Sequence, residues 1–339
     1  MTRHRLEEIL GALPGVSIAV VGDFFLDRYL VMDPALTEVS LETGLDAFQV
    51  VGKRNSPGAA GTVTSNLRAL GVGTLLALGV VGEDGEGYDL RRGLEAGGVD
   101  ATDLLTDAGL FTPTYIKPMF RHPDGSETES NRQDIKNRTP LSPELEGHLV
   151  RRLRQITPSV DGVIIADQVQ ERNCGVVTDA VREELSRLGR QHPDKVFFAD
   201  SRVRIGEFRD VICKPNRLEA AQALDPSVTV ESPRSQAQAL GQALFERTGR
   251  PLYLTLSHEG MLLFTQGGCT HLPAFPVTGP TDPVGAGDSC TAGIVSALCA
   301  GATLEEAGLV GNLVASITVQ KLGTTGTASP GELLAALPG

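Results

Sequence analysis

Short, continuously apolar runs recur along the chain, and each of them ends in a glycine or a polar residue. They are SIAVVGD at 17–23, TLLALGVVG at 74–82, DGVIIAD at 161–167, KVFFAD at 195–200, DVICKPN at 210–216 and PLYLTLS at 251–257. Runs that are apolar at every position are typical of strands covered on both faces of a parallel sheet. Helical patterns between them, for example at 174–190 and 233–248, predict an α/β layered domain. Because ligands collect at the carboxyl ends of parallel strands, the residues that end these runs are candidates for a site.

Two stretches break this pattern, at 28–55 and 112–139. Both lack a helical period and carry β-prone residues, as in TYIK at 114–117 before the turn HPDG. We interpret them as extra strands that form a flap on a single domain spanning 1–339. No internal repeat interrupts that domain.

The charge of the chain limits its partners. Thirty basic and 42 acidic side chains give a net charge of −12, which disfavours nucleic acid and anionic membrane as partners. The densest basic runs, RHRLEE near the N-terminus and HLVRRLRQ near residue 150, are typical of solvated helix faces. Five cysteines without a C-x-x-C pair, and no apolar run of membrane-spanning length, predict a cytoplasmic protein without disulfides.

Several familiar catalytic motifs do not occur in the sequence. It contains no G-x-x-x-x-G-K-[ST], no H-E-x-x-H and no G-x-S-x-G, which disfavours the commonest P-loop, zinc-protease and α/β-hydrolase interpretations. The run GEDGEG at 82–87 lacks the glycine spacing of a dinucleotide fingerprint and predicts a turn followed by a helix start. An NAD-dependent oxidoreductase is therefore the weakest of the enzyme hypotheses.

The segment TDPVGAGDSCTAGIVSAL at 281–298 carries the strongest functional signal. Gly285, Ala286 and Gly287 lead into a helix, and such small residues let backbone N–H groups face a cavity without obstruction. Unpaired N–H groups and the positive end of the helix dipole favour an anion. Asp288 would lie at the mouth of this site, where its carboxylate could accept a proton from an attacking hydroxyl. The alternative is a glycine-rich turn in which Asp288 only caps the helix.

Other polar residues follow predicted strands and are expected at the same edge of the sheet. Asp27 follows the first strand, and Thr255 belongs to the end of LYLTLS. Asn216 and Glu219 are three residues apart at a helix start and so share one face. Each has an ordinary alternative: Asp27 as a surface helix residue, and Asn216 with Glu219 as the two halves of a capping box.

Together these segments resemble the ribokinase-like (PfkB) family of carbohydrate kinases. GDFFLDRY, PGAAGTVTSNLRALG, KPNRLE, TLSHEGM and DPVGAGD occur in the family's order and approximate spacing, over about residues 15–335. GDFFLDRY, TLSHEGM and KLGTTGTASPGEL at 321–333 look closest to the heptose-phosphate kinase branch, the kinase module of bacterial ADP-heptose synthesis. The resemblance implies a ribokinase-like three-layer α/β sandwich with a mostly parallel sheet, in which 28–55 and 112–139 form a small β-lid.

The resemblance also implies roles for individual residues. Asp288 matches the catalytic base, and the N–H groups of Gly285, Ala286 and Gly287 match the anion hole. ATP and Mg²⁺ are the implied cofactors, with Glu219 organising Mg²⁺ through water. The implied nucleotide-binding positions are Asn216, Glu219, Thr255, Gly260 and Asn312, and the implied sugar-binding positions are Asp27, Gly58, Ala59, Thr62 and Arg132. Asp282 matches a position near a monovalent-cation loop in many members, so K⁺ is a further candidate. The β-lid is a dimer interface in many members, which predicts a homodimer.

The sequence departs from the family pattern at several of the implied sugar-binding and lid positions. Ala59 replaces the second glycine of the usual pair, Thr62 replaces a sugar-binding Asn, and Val284 replaces a Thr. Glu38 and Asp46 occupy lid positions that are typically Arg and apolar or Pro in heptose-phosphate kinases. Acidic lid residues would disfavour a phosphorylated acceptor. We therefore expect an unphosphorylated sugar or polyol to be preferred over heptose 7-phosphate, with a heptose 7-phosphate kinase proper as the alternative.

A second hypothesis from another class is a non-catalytic protein that uses a kinase fold to sense a sugar or nucleotide. The joint presence of Asp288, Asn216 and Glu219 argues against it, because a sensor has no need of a base together with a phosphate-organising pair. Release of ADP in the presence of a sugar separates the two hypotheses.

Overall fold

The computed structural model describes residues 1–230, 233–323 and 325–337. Its strands are β1 Ser17–Gly22, β2 Phe24–Met32, β3 Glu38–Val39, β4 Asp46–Ala47, β5 Val50–Ala59, β6 Thr74–Gly82, β7 Leu104–Asp107, β8 Thr114–Arg121, β9 Glu127–Glu129, β10 Gln133–Ile135, β11 Gly162–Asp167, β12 Val196–Ser201, β13 Ile212–Cys213, β14 Leu252–Thr255, β15 Met261–Thr265 and β16 Gly268–Leu272. Thr324, inside the motif at 321–333, lies outside the described residues.

One α-helix precedes the first strand, and the others lie between and after the strands. They are α1 Arg3–Ala12, α2 Ala60–Leu70, α3 Gly85–Ala96, α4 Pro143–Ile156, α5 Asp179–Gln191, α6 Arg217–Leu224, α7 Arg234–Thr248, α8 Ala286–Cys299, α9 Leu304–Thr318 and α10 Pro330–Ala336. Short 3₁₀ turns occur at Leu13–Gly15, Pro34–Leu36, Thr157–Ser159, Ile205–Glu207 and Ser257–Glu259.

A nine-stranded sheet forms the centre of the molecule, in the order β16-β15-β14-β13-β12-β11-β1-β6-β7. The strands from β14 to β7 pair in parallel, and β15 and β16 extend the sheet as an antiparallel hairpin. The six apolar runs of the sequence are β1, β6, β11, β12, β13 and β14, which confirms the predicted α/β fold with a mostly parallel sheet.

Hydrophobic cores cover both faces of this sheet, because successive side chains of a strand point to opposite faces. In β1, Ile18 and Val20 pack on one side while Ala19 and Val21 pack on the other. Helices α1, α2, α8, α9 and α10 contribute to the first core, and α4, α5, α6 and α7 to the second. This double burial explains why the strands are apolar at every position.

The predicted helix at 174–190 begins later than the pattern indicates. Thr178 is its N-cap and accepts a hydrogen bond from Val181 N, so the helix starts at Asp179. Val176, inside the apolar stretch, instead donates its N–H to the carboxylate of Asp23. The apolar residues before Thr178 are therefore buried in a loop, and their spacing imitates a helical turn.

A second sheet, formed by β10, β8, β2 and β5 with β9 paired to β8, lies apart from the central one. β2 runs antiparallel to β5 and parallel to β8. It begins at Phe24, two residues after β1 ends, so the chain passes from one sheet to the other almost without a loop. The strands β3 and β4 form a separate two-stranded hairpin.

None of the helices in the described part of the chain is long and apolar enough to cross a membrane.

Candidate active site

Helix α8 begins at a tight turn that places backbone N–H groups at the end of the central sheet. Gly285 is its N-cap, with φ 77°, a conformation that glycine adopts without strain. A Cβ at Gly285 would lie 3.3 Å from Thr325 Cγ2 and 3.5 Å from Thr62 Cγ2, so the turn is also closely packed. Asp288 is the third residue of the helix. The alternative that Asp288 is a plain N-cap is therefore wrong.

The predicted anion hole is only partly available for a ligand. The N–H of Ala286 donates to Pro283 O at 3.1 Å, so this amide is already used by the turn. Within the described residues, the N–H groups of Gly285 and Gly287 have no intramolecular acceptor. Two amides at the positive end of a 14-residue helix remain to bind an anion.

The surroundings of Asp288 suit a proton acceptor at neutral pH. Burial raises the pKa of Asp288 to about 7, with a further rise from the charge of Asp200 and, more weakly, of Asp27. The positive charges of Lys214 and Arg202 oppose the rise. A base whose pKa lies near the working pH is both deprotonated in a large fraction of molecules and basic enough to take a proton.

Lys214 and Asp200 form a buried ion pair below the start of α8. Their Nζ–Oδ2 distance is 2.9 Å, and Thr291 donates a hydrogen bond of 2.9 Å to the same oxygen. The ammonium group lies 3.7 Å from the position that a Cβ on Gly287 would occupy. A cation therefore lies beside the unpaired amides. Sequence reasoning missed both residues, although Asp200 ends KVFFAD and Lys214 opens KPNRLE.

Asn216 and Glu219 form the capping box of α6. Asn216 N donates to Glu219 Oε2 at 2.8 Å, and Glu219 N donates to Asn216 Oδ1 at 2.9 Å. Burial and the charge of Asp200 raise the pKa of Glu219 to about 7, while Lys214 opposes that rise. The capping-box alternative is thus confirmed for Asn216 and Glu219. The charges of Asp200 and Lys214 act on Glu219 as they do on Asp288.

The remaining positions predicted to bind a nucleotide lie at the same end of the sheet. Thr255 ends β14 and pairs with Asn216 across a parallel bridge. Asn312 donates to Leu272 O at 3.1 Å and to Pro273 O at 3.0 Å. A side chain at Gly260 would collide with the backbone of the same 272–274 segment. Gly260 and Asn312 therefore hold this segment in place, and direct contact with a nucleotide stays a prediction for both.

Asp27 lies in β2 and is buried, so the alternative of a surface helix residue is wrong. Its Oδ2 is 3.5 Å from Lys117 Nζ, and a Cβ at Gly58 would lie 3.1 Å from its Cγ. Glycine at 58 therefore permits the close approach that the sequence predicted. Burial raises the pKa of Asp27, whereas Lys117 and Arg132 lower it.

Ala59 and Thr62 connect this carboxylate to the start of α2. Ala59 has φ 53° and ψ −116°, a combination that residues with a side chain rarely adopt. Thr62 is buried in the first turn of α2 and packs against the turn at Gly285. The starts of α2 and α8 therefore meet beside Asp288.

Arg132 lies on the face of the second sheet near Asp27. Its guanidinium makes a two-pronged ion pair with Asp134, at 2.7 and 3.0 Å, and lies 4.1 Å from the centre of the Tyr115 ring. The ion pair and the ring hold the side chain in one orientation. Its predicted contact with a sugar stays a prediction.

The described residues contain no cluster of three or more His, Cys, Asp or Glu side chains placed to hold a metal ion. Asp282 accepts a hydrogen bond from Val284 N at 3.0 Å, and its own N–H donates to Val319 O at 2.7 Å. This carboxylate therefore closes a turn, and its predicted link to K⁺ stays a prediction. Mg²⁺ often keeps several waters and binds through one carboxylate together with substrate phosphates, an arrangement that the single carboxylate of Glu219 fits.

The sequence matches the model of the pfkB family of carbohydrate kinases over residues 29–330. It is 30% identical over 339 residues to the bifunctional protein HldE of Trichlorobacter lovleyi, covering 99% of this chain and 66% of that protein. The chain thus spans slightly less than two thirds of this relative.

Solved structures share the fold at low sequence identity. The structure of ribokinase from Arabidopsis thaliana complexed with ribose and ATP has a TM-score of 0.66 at 16% identity, covering 95% of this chain and 98% of that one. Phosphofructokinase-2 from Escherichia coli in complex with fructose-6-phosphate has a TM-score of 0.67 at 16% identity, covering 95% and 97%. These likenesses establish the ribokinase-like architecture.

Proposed function

This chain belongs to the pfkB family of carbohydrate kinases, and on that premise we propose that it transfers the γ-phosphoryl group of ATP to a hydroxyl group of a sugar or sugar-like polyol. The observation that carries the proposal is Asp288, a carboxylate with a pKa raised to about 7 beside the unpaired amides of Gly285 and Gly287. A proton acceptor and an anion site next to each other are what phosphoryl transfer to an alcohol requires.

In the proposed mechanism Asp288 orients the acceptor hydroxyl and takes its proton. The amides of Gly285 and Gly287 and the ammonium of Lys214 face the negative charge of the transferring group, in a site fixed before the reaction starts. Glu219 would hold Mg²⁺ through water, and the ion when bound neutralises part of the phosphate charge. Asp27, held at 3.5 Å from Lys117, would accept hydrogen bonds from hydroxyl groups of the acceptor and fix its orientation.

Whether the acceptor is an unphosphorylated sugar or a sugar phosphate depends on the charges around the proposed sugar site. Glu38 and Asp46, from which we expect an unphosphorylated sugar, lie exposed on the β3–β4 hairpin. Lys117 and Arg132 are the cations that act on Asp27, and they would attract an anionic acceptor. The preference for an unphosphorylated sugar over heptose 7-phosphate therefore stays a prediction that rests on the charges of Glu38 and Asp46; Thr62, with a hydroxyl in place of an amide, changes which sugar hydroxyls can be paired. Similarity to HldE supports heptose 7-phosphate as the second candidate acceptor.

We also propose that the second sheet acts as a lid and as the interface of a homodimer, in a kinase domain that extends over 1–339. Large apolar side chains are exposed along the first lid segment, at Val39, Leu41, Leu45, Phe48, Val50 and Val51. An exposed apolar group of this kind is typical of an interaction surface. Measurement of molecular mass by light scattering tests the dimer, and a monomer at micromolar concentration would contradict it.

The proposed function is tested by ADP release with purified protein, MgATP and a panel of free sugars, polyols and sugar phosphates that includes heptose 7-phosphate. We expect at least one acceptor to raise ADP release well above the ATPase background, and the product to carry the new phosphate. Tight binding of a sugar without any ADP release would favour the non-catalytic alternative.

A further inference from the structure

Asp23 is the single residue between the last position of β1 and the first position of β2. It is 3% exposed, and the chain passes here from the central sheet into the second sheet. Gly22, just before it, has φ 149°, and a Cβ there would lie 2.2 Å from Ala166 O. The turn therefore needs glycine and lies tightly against the end of β11.

The backbone of Asp23 joins the elements that carry the proposed sugar site. Its N–H donates to Ala166 O at 3.0 Å, and its carbonyl accepts a hydrogen bond of 3.1 Å from Ala60 N. Ala60 begins α2, whose first turn contains Thr62, and Asp27 follows in β2. The strand with Asp27 and the helix with Thr62 are therefore fixed to the central sheet at one residue.

The carboxylate of Asp23 holds the loop between β11 and α5, residues 168–178. Oδ2 accepts hydrogen bonds of 2.8 Å from Gln168 N and Val169 N, and Oδ1 accepts one of 2.8 Å from Val176 N. A Cβ at Gly175 would lie 2.6 Å from Oδ1, so the loop closes around the carboxylate. An ionised carboxylate suits this position because it accepts at both oxygens and donates from neither.

A second buried carboxylate beside the loop has different partners. Asp167 pairs with Arg204 at 3.1 Å and accepts a hydrogen bond of 2.6 Å from Ser201. Arg204 also donates to Gln170 O at 2.9 Å and to Val169 O. The loop is thus held through its carbonyl groups by Arg204 and through its N–H groups by Asp23.

The loop lies close to the second sheet. Gln168 and Val169 line a gap together with Phe25 and Tyr115, with room for about 20 Å³, which is about one water molecule. Tyr115 pairs with Asp27 in the register of β2 and β8. A shift of the loop would therefore reach Asp27 through its neighbour in the sheet.

We propose that Asp23 is a positioning residue for phosphoryl transfer. Through the loop and the start of β2, its carboxylate fixes the second sheet relative to α8. It thereby sets the distance between Asp27, which would hold the acceptor, and Asp288, which would take its proton. The inference rests on the proposed function and adds a residue that acts through the backbone and not by contact with ATP or the acceptor. A displacement of about 1 Å between reacting groups can cost about a hundredfold in rate.

Two substitutions disturb the carboxylate in different ways. Asp23→Asn keeps the size of the side chain but places an amide donor among the N–H groups of the loop. Gly175→Ala keeps the charge and pushes a methyl group against Oδ1. The control is Glu184→Gln, which removes another buried charge. Glu184 and its partners Arg154 and Arg187 belong to α4 and α5, elements without a residue of the proposed site.

We expect Asp23→Asn and Gly175→Ala to lower kcat/KM for the best acceptor by about a hundredfold and to leave KM for ATP within about threefold. All three variants should lose thermal stability, because each disturbs a buried group, and Glu184→Gln should keep wild-type kinetics. The kinetics are measured at a temperature at which thermal unfolding shows the variants folded, and if one of the first two does not fold, the other decides.

Three results would overturn the inference. They are wild-type kinetics in a folded Asp23→Asn protein, a loss expressed in KM for ATP, and failure of both Asp23→Asn and Gly175→Ala to fold. The last result would show that Asp23 is required for the fold and does not merely orient one sheet.

Hydrogen exchange of the protein without ligands tests the inference independently of turnover. Asp23→Asn and Gly175→Ala should speed amide exchange by about tenfold or more at 168–176 and also in β2, because the second sheet loses its support. Faster exchange confined to the loop contradicts the inference. If the wild-type protein phosphorylates no compound of the panel, the proposed function fails for that panel, and exchange in β2 decides separately whether Asp23 holds the sheet.

Discussion

At the scale of single residues, Ala59 carries the least favourable backbone of the proposed site. Its φ of 53° and ψ of −116° suit glycine, and a residue with a side chain held there costs on the order of 1–3 kcal/mol. Ala59 ends β5 and is the N-cap of α2, so its backbone fixes the path from Gly58 to Thr62, and any strain at Ala59 lies within the proposed sugar site.

Ala59→Gly should therefore raise the free energy of unfolding by about 1 kcal/mol, because relief of strain exceeds the backbone entropy that glycine loses on folding. Chemical denaturation measures this change. The neighbouring Ala60→Gly is the control: Ala60 is buried in the first turn of α2, and its variant should lose about 1 kcal/mol. Destabilisation by both substitutions would show that Ala59 is not strained.

The residues that sequence reasoning found and those that it missed differ in one respect. Asp288, Asn216 and Glu219 belong to local patterns, a helix start or a capping spacing, that can be read along the chain. Lys214 and Asp200 form a pair across neighbouring strands, and which strand ends face each other is a property of the sheet order.

At the scale of elements, α6 places one carboxylate in two roles. Glu219 completes the capping box of the helix, and burial raises its pKa to about 7 in the electrostatic surroundings of Asp200 and Lys214. Glutamine can close a capping box as glutamate does, whereas a hard cation prefers an anionic oxygen. The two roles can therefore be separated by one substitution.

Glu219→Gln should keep the capping box and not lower the thermal stability, and it should raise the Mg²⁺ concentration for half-maximal activity by about threefold or more. A magnesium titration of ADP release at fixed ATP measures the shift. An unchanged magnesium profile would reduce Glu219 to a partner in the helix cap.

The strands of the central sheet could be predicted because strands that are buried on both faces are apolar at every position, and such runs are visible in the sequence. The second sheet is harder to predict, because β5, β8, β9 and β10 are mostly exposed or half-buried and show no regular burial pattern. In addition, β2 follows β1 so closely that Asp27 is expected after a strand instead of inside one. The helix predicted at 174–190 starts late because the N–H of Val176 donates a hydrogen bond to Asp23, which is far away in the sequence. Long-range hydrogen bonds of this kind have no local signature.

At the scale of the whole molecule, the site lowers the stability of the fold at neutral pH. The pKa values of Asp288 and Glu219 are raised to about 7 and that of Asp23 to about 6, so the folded chain holds these protons more tightly than the unfolded chain does. Their contribution to stability is present below about pH 4 and is lost as the pH rises to about 7.

Asp288→Asn should accordingly raise Tm at pH 8 by about 2 °C or more, with a gain that shrinks as the pH falls toward 4. Thermal unfolding across this pH range measures it. Asp124→Asn is the control of opposite sign, since hydrogen bonds from Ser126 lower the pKa of Asp124 and its removal should bring no gain at pH 8. A Tm gain for Asp288→Asn that is independent of pH would show that ionisation of Asp288 is not the cause.

The central claim is that this chain is a kinase in which Asp288 deprotonates the acceptor. The most direct measurement is kcat of Asp288→Asn relative to wild type, with saturating MgATP and the best acceptor of the panel. Loss of the proton acceptor beside an otherwise intact anion site should reduce kcat by at least about a thousandfold while ATP binding changes little. A variant that keeps more than about a tenth of wild-type turnover would contradict the assignment of Asp288 as the base.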